Sequence, residues 1–277
     1  ELSKSIEKIE KTLRDLYEKE KKPESESEDK SENEDQEGQE EQDKSGGDKE
    51  QGDTGDKKES SKSEKKLQID LKPEELGKYE EEIEEIEDEK KKEKEKKEKL
   101  KTYESLKEDV AELHNLWNST EPKLIKNLTP QLSIDNFENA LNYFTNDIET
   151  QNTYANLVSL IELYRYLPDF SESYKTKYPP DIDRLKFAVK KASLISDKDD
   201  FDNLKATLKY LTERWEKTKP KLKKESTDNI NKFDLALSDF KASIDSKDKN
   251  IIKVKSGVLL SIIDGLIEES KQDDKKE

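Results

Sequence analysis

Apolar side chains return at three- and four-residue intervals along most of this chain, and the intervals fail in one long stretch. Ile6, Ile9, Leu13, Leu16 and Tyr17 form a single stripe, which predicts an amphipathic helix over residues 3 to 20 with Ser3 or Ser5 at its start. So narrow and short a helix is marginal alone in water, so it is expected to dock on something. Residues 18 to 66 then carry no aliphatic or aromatic side chain. Leu67, Ile69 and Leu71 alternate with polar residues, and Tyr79, Ile83 and Ile86 begin a weak helical pattern after Pro73. It runs into a Glu/Lys stretch over 90 to 100, compatible with an exposed helix held by charge pairs, a frayed end or a loop. From there the stripes are dense. Leu106, Val110, Leu113 and Trp117 predict a helix over 103 to 118; Phe137, Leu141, Phe144 and Ile148 one over 134 to 150, with Ser133 or Asp135 as cap. Leu157, Leu160, Ile161, Tyr164 and Leu167 predict another over 152 to 167, closed by Pro168. After Pro179-Pro180, further helices are marked by Ile182 to Ile195, Leu204 to Trp215, Phe233 to Ile244 and Val254 to Ile267.

The stripes repeat. Trp117-Asn-Ser-Thr-Glu-Pro122-Lys-Leu124 recurs as Trp215-Glu-Lys-Thr-Lys-Pro220-Lys-Leu222, 98 positions on, and these hold both tryptophans of the chain. Upstream, Leu106, Val110 and Leu113 map at the same offset onto Leu204, Leu208 and Leu211. Downstream, after a two-residue shift, Phe137, Ala140, Leu141, Phe144 and Ile148 map onto Phe233, Ala236, Leu237, Phe240 and Ile244. Ile83 and Ile86 align with Ile182 and Leu185, which places the start of the first unit near residue 79 with a first helix poor in apolar residues; the N-terminal helix is the candidate to cover the surface this leaves. Strand signals are weak. The expected fold is all-α: two tandem, internally duplicated bundles of about four helices each, plus the N-terminal helix on a linker. The expected divisions are 1–22 for that helix, 23–66 for the linker, 67–178 for the first repeat and 179–277 for the second. Two copies under one packing constraint make Trp117, Pro122, Leu124, Trp215, Pro220 and Leu222 structural anchors rather than one binding box.

Charge changes the reading of the gap. Residues 24 to 56 hold fifteen acids against three lysines, which predicts a disordered acidic spacer. Net charge over the 277 residues is −16, which argues against a nucleic-acid partner and against electrostatic docking on an anionic membrane. No apolar run is long enough to span a bilayer. A chain that opens at Glu1 and contains no Met is expected to be a trimmed or processed form.

Chemistry is sparse. There is no cysteine, and the one histidine, His114, lacks the Glu-x-x-His and His-Glu-x-x-His spacings of helical metal sites. The acids at 197 to 202 lack the glycine and the closing glutamate of a calcium loop; Asp199, Asp200 or Asp202 is instead expected to cap the next helix. No glycine-rich phosphate loop or serine-hydrolase motif is present, so the expectation is a non-enzyme with neither metal nor cofactor. Aromatic residues are the richest feature. Tyr166, Phe170, Tyr174 and Tyr178 fall at or beyond a helix end, where they form a candidate ligand-binding set or else pack the joint between the bundles. Asn118-Ser-Thr120 and Asn127-Leu-Thr129 match the N-glycosylation pattern, which matters only in a eukaryotic secretory setting.

The repeated Trp-to-Leu joint followed by Phe137-Glu-Asn-Ala-Leu-Asn-Tyr-Phe-Thr-Asn-Asp-Ile148 resembles uncharacterised helical lipoproteins of Gram-positive, clostridia-like bacteria, over residues 79 to 269. The resemblance implies an extracytoplasmic protein of the cell envelope, held to the membrane through a lipidated cysteine that this sequence does not include. It imports no activity. The His-x-x-Glu motif of imelysin-like envelope proteins is absent, since Asn115, Leu116 and Trp117 follow His114. The leading expectation is thus a non-enzymatic cell-surface helical protein that binds a protein or envelope partner or acts as a scaffold. The alternatives are a solute- or metal-binding protein with its ligand between the bundles, and a surface antigen of an AT-rich eukaryotic parasite.

Overall fold

A computed structural model describes residues 1–21, 73–174, 178–222 and 226–272, with side chains omitted over 73–84 and 271–272. The spacer expected at 23–66 and the alternating Leu67, Ile69 and Leu71 lie outside the described residues. The fold is all-helical: α1 (Leu2–Lys21), α2 (Pro73–Lys126), α3 (Gln131–Ile148), α4 (Thr153–Tyr164), α5 (Leu167–Glu172), α6 (Asp181–Ser196), α7 (Phe201–Thr218), a 3-10 turn (Lys219–Lys221), α8 (Thr227–Ser246) and α9 (Lys249–Gln272).

Residues 22–97 form one compact unit; residues 1–21 and 98–277 form the other. In the first unit the described segment is the N-terminal part of α2. The Glu/Lys run is helical there, and Lys97 pairs with Glu93 one turn earlier at 2.9 Å. Ile86 is 50% exposed, whereas Leu185, its expected counterpart, is fully buried. The segment around Ile86 is charged on nearly all sides and has no apolar stripe to turn inward.

The larger unit holds two apolar clusters. One combines Ile6, Ile9 and Leu13 of α1 with Leu106, Leu113 and Trp117 of α2, Phe137 and Phe144 of α3, and Leu157 and Leu160 of α4. The other combines Ile182 and Leu185 of α6, Leu204 and Trp215 of α7, Phe233 and Phe240 of α8, and Leu259 and Ile263 of α9. Within them α4 packs against α1 and α3, and α9 packs against α6 and α8. Each stripe read from the sequence over 103–117 and 204–215 lies on a buried helix face, because a 3.6-residue period keeps those side chains on one side.

Turns between the helices share one device. Leu128, Gln151, Asp199 and Lys247 take positive φ of 59°, 52°, 58° and 58° and close α2, α3, α6 and α8 respectively. Asn152 then caps α4 by accepting from the Ala155 N–H, and Asp200 caps α7 by accepting from Asn203 N–H. Neither Ser133 nor Asp135 caps α3; the helix begins earlier, after Pro130, and Ser133 Oγ donates to Asp169 instead.

The two tryptophan joints differ in detail. Trp117 packs on Phe137 and Phe170 at centroid distances of 4.5 and 5.6 Å, and Trp215 on Phe233 at 4.0 Å. Trp215 Nε1 donates to Asp234 at 2.6 Å, a carboxylate that also receives Lys219. Trp117 Nε1 is buried with no hydrogen-bond partner among the described residues, and the position matching Asp234 carries exposed Glu138. Pro122 sits inside α2, which continues to Lys126, while Pro220 sits in the 3-10 turn that ends α7; both prolines are exposed. Leu124 is fully buried, and Leu222 is half-buried against the second cluster.

Truncating either tryptophan to alanine is expected to cost about 3–5 kcal/mol in urea unfolding, since each empties a large buried site. Trp215→Phe is expected to cost about 1–2 kcal/mol more than Trp117→Phe, because it alone breaks a bond to a carboxylate. Equal costs for the two Phe variants would show that the Asp234 contact contributes nothing. Leu128 is 89% exposed and holds a left-handed backbone, so Leu128→Gly is expected to raise stability by about 0.5–1 kcal/mol in the same assay.

Candidate functional site: an open groove between the two apolar clusters

α4 and α6 pack together and carry one cluster on each side. Along this contact the short α5 turns the chain, because Pro168 presets the first turn and Phe170 pins it under Trp117. The turn brings Asp169 and Glu172 to Arg184 of α6. Arg184 donates to Asp169 Oδ1 at 2.6 Å and to Asp181 Oδ1 at 3.0 Å, and its other amine contact is Glu172 at 2.8 Å. Burial works against this guanidinium, but Glu172 and Asp169 outweigh it and hold the group above its ordinary value. Asp181 also accepts from Lys221. Burial alone would raise its carboxyl; Lys221 and Arg184 together keep it below the ordinary carboxylate value. The result is a rigid floor of engaged charges joining α5, α6 and the end of α7.

Over this floor lies an open groove of about 1160 Å³, walled by α3, α4 and α5 on one side and α7 on the other. Its lining includes three of the chain's four arginines: Arg165, Arg184 and Arg214. Counting lysines, six basic groups face four acidic ones, in a chain whose net charge is −16. The acids are all engaged: Asp169 and Glu172 with Arg184, Asp181 with Arg184 and Lys221, and Asp200 at the α7 cap. Several cations are held more loosely. Lys217 is exposed and makes no ion pair among the described residues, Arg165 is 63% exposed with Glu162 only at 3.8 Å, and Arg214 reaches Asp181 at 3.6 Å while lying over the Tyr210 ring. Tyr154, Tyr166 and Tyr210 supply aromatic surface, and the rim includes Leu132, 69% exposed, and Val158, 41% exposed.

α1 backs one of the lining residues. The Tyr17 ring packs on Tyr154 at 5.8 Å, and Lys21 pairs with Asp197. Burial and the charges of Asp197 and Glu18 push the Tyr17 phenol up to about 12, so it stays protonated. Further along α1, Glu10 lies 4% exposed between α4 and α6. Lys190 reaches it at 2.6 Å, Arg14 at 2.7 Å, and the Tyr164 hydroxyl donates to it at 2.8 Å. Burial pushes the Glu10 carboxyl up, and Lys190 and Arg14 more than reverse that, leaving it below the ordinary value. Burial keeps the Lys190 ammonium below its ordinary value, with Glu10 recovering only part. Tyr164, buried beside Glu10, is held far above the usual phenol range and remains a donor. One turn earlier, Lys186 bridges Glu7 and Asp264 at 3.1 Å each.

The structure does not bring the four aromatic candidates together. Tyr166 lines the groove and meets Phe137 edge-on at 6.4 Å. Phe170 is 6% exposed and belongs to the first core, where it packs between Trp117 and Phe137. Tyr174 is 43% exposed and away from the lining. Tyr178 packs against the second cluster and donates to Asp183. The arginine lining escaped sequence reading, since Arg165, Arg184 and Arg214 are far apart in the chain. Their scarcity among fifty-three basic residues was the available signal. His114 bonds Thr145 at 2.8 Å across α2 and α3. Among the described residues no cluster of His, Asp or Glu is arranged to hold a metal ion, and no helix is long and apolar enough to cross a membrane.

No protein-family model, curated protein or solved structure matches the chain.

The Glu10 carboxylate ties stability to pH. Its folded pKa is depressed below the ordinary value, so its contribution is fully present above the ordinary carboxylate range and is lost as pH falls through the lower folded value. Stability measured by denaturant should therefore fall below about pH 4.5, more steeply for the wild type than for Glu10→Gln. Glu10→Ala, which strands Lys190, is expected to cost about 3–5 kcal/mol, and Glu10→Leu/Lys190→Met much less. Equal losses from the single and double variants would sink the buried-pair account.

Proposed function

We propose that this chain is a non-enzymatic helical protein with a binding or scaffold role, whose groove between the two apolar clusters receives a partner. The observation that carries this reading is the groove itself: large, open, floored by fixed ion pairs, and lined by aromatic rings with arginines whose acidic partners lie beyond hydrogen-bond distance. Such a surface offers affinity without organised reactive groups. It favours a site between the helical halves, as in the solute-binding alternative, but for an organic or protein ligand rather than a metal.

The architecture under this reading is two tandem, internally duplicated bundles of about four helices each. Matching buried stripes support it: Leu106, Val110, Leu113 and Trp117 against Leu204, Leu208, Leu211 and Trp215. The first bundle takes α1 as its opening helix in place of the segment near residue 79. The α1 stripe Ile6, Ile9, Leu13 and Leu16 has the spacing of Ile182, Leu185, Val189 and Ala192 in α6, and all eight are buried. An extracytoplasmic, cell-envelope location with a lipid anchor rests on the resemblance to helical lipoproteins; the parasite-antigen reading has no structural observation in its favour.

The test is selection of peptides of unbiased composition on the immobilised full chain, followed by hydrogen exchange of the complex. Retained peptides are expected to slow exchange in α4, α5 and α7. A selection that retains nothing, or protection confined to other helices, would count against a binding groove. Turnover of an ester, glycoside or peptide substrate by the pure protein would overturn the non-enzymatic reading.

A further inference from the structure

We infer that the groove is selective for an acidic polypeptide segment in which carboxylates alternate with bulky apolar side chains. The inference rests on reading the groove as a binding site and adds the chemical class of its occupant. Three observations converge.

First, the charge balance inside the groove is opposite to that of the molecule. Six basic groups face four acids here, against a whole-chain charge of −16. The four acids already have close partners, while Arg165 and Arg214 hold theirs only at 3.8 and 3.6 Å, beyond hydrogen-bond distance, and Lys217 is exposed, so the groove retains capacity for negative charge at these three cations. Arginine suits this task, because its planar fork pairs a carboxylate through two parallel bonds and its weak hydration lowers the cost of doing so.

Second, the α7 wall is ordered. Tyr210, Arg214 and Lys217 lie at intervals of four and three residues, so one face of α7 offers an aromatic ring followed by positive charge, and Lys221 of the following 3-10 turn also lines the groove. Arg214 stacks on Tyr210 at 5.3 Å, which pre-orders the guanidinium before a ligand arrives.

Third, the opposite wall adds apolar and aromatic surface. Leu132, Val158, Tyr154 and Tyr166 line it beside Arg165. A segment lying in the groove thus meets hydrocarbon as well as positive charge. A dense polyanion fits poorly. Nucleic acid or a sulfated glycan would bring closely spaced charges against Asp169, Glu172, Asp181 and Asp200 and would leave the apolar wall uncovered. A polypeptide with carboxylates set among apolar side chains places each group against its complement.

The test uses the full chain and a fluorescein-labelled twelve-residue peptide repeating Glu-Leu-Asp-Phe, with a Lys-Leu-Lys-Phe counterpart, a twelve-nucleotide oligothymidylate and a sulfated heparin oligosaccharide as competitors. Fluorescence polarisation should show saturable binding of the acidic peptide, weakening as salt rises from about 50 to about 300 mM. The basic peptide should bind at least tenfold more weakly, and the two polyanions should compete poorly. Arg165→Glu/Lys217→Glu changes two exposed side chains, so its melting curve should match the wild type while its affinity for the acidic peptide falls tenfold or more; Arg165→Gln/Lys217→Gln should lie between. The inference is overturned by equal binding of acidic and basic peptides, by variants within twofold of the wild type, or by oligothymidylate or heparin displacing the peptide at lower concentration. If the unbiased selection yields groove-protecting peptides with no excess of Asp and Glu, the acidic class fails while the groove reading stands. If nothing protects the groove, both fail.

Discussion

The structure of the larger unit depends on the docking of α1. An isolated twenty-residue helix with a narrow apolar stripe is marginal in water, so its order comes from what it buries. Ile6, Ile9 and Leu13 are fully buried in the first core, where α4 and the C-terminal part of α2 would otherwise expose hydrocarbon. On its other side the same helix presents Glu7 and Glu10 to Lys186 and Lys190 of α6. One helix therefore closes the first core by hydrophobic burial and reaches the second half through charge. The two contributions differ in character. Apolar burial is non-directional, whereas a buried pair is costly to form and far costlier to break from one side, so the Glu10–Lys190–Arg14 cluster fixes where α1 sits more than it adds to stability.

The groove follows from that arrangement. Because α4 and α6 are held together beside α1, the turn through α5 must be tight, and it presents Asp169 and Glu172 to Arg184. Those bonds engage the acids near the floor and leave the outer cations, Arg165 and Lys217, facing solvent across a concave surface. An acidic protein thereby carries a local region of opposite sign, screened from the rest of the molecule by distance and salt. The tryptophan joints belong to the scaffold of this surface. Trp117 holds Phe170 and so holds α5, while Trp215 and Lys219 share Asp234 at the end of the α7 wall.

Much of this was written in the chain. Helical stripes with a 3.6-residue period told which face of each helix turns inward, and Leu106, Leu113, Trp117, Phe137, Phe233 and Trp215 are all buried as such a stripe requires. Both tryptophans were legible as scaffold because the same motif occurs twice. Cap identity was legible only as a choice among neighbours: of Asp199, Asp200 and Asp202 it is Asp200 that caps α7. The four aromatic candidates read alike in sequence, since each is a large ring near a helix end. In space Phe170 is core, Tyr166 is lining and Tyr174 is exposed, because a half-turn of helix is enough to move a side chain from one environment to another.

The amino-acid sequence by itself determined that the protein is helical and where the apolar faces lie, because those depend on local spacing. Only the tertiary structure decided that α1 joins the first core, that Glu10 meets Lys190 across 180 positions, and that Arg165, Arg184 and Arg214 share one groove. Such contacts join residues distant in the chain through electrostatic and packing terms that have no period in the sequence, so no local pattern announces them.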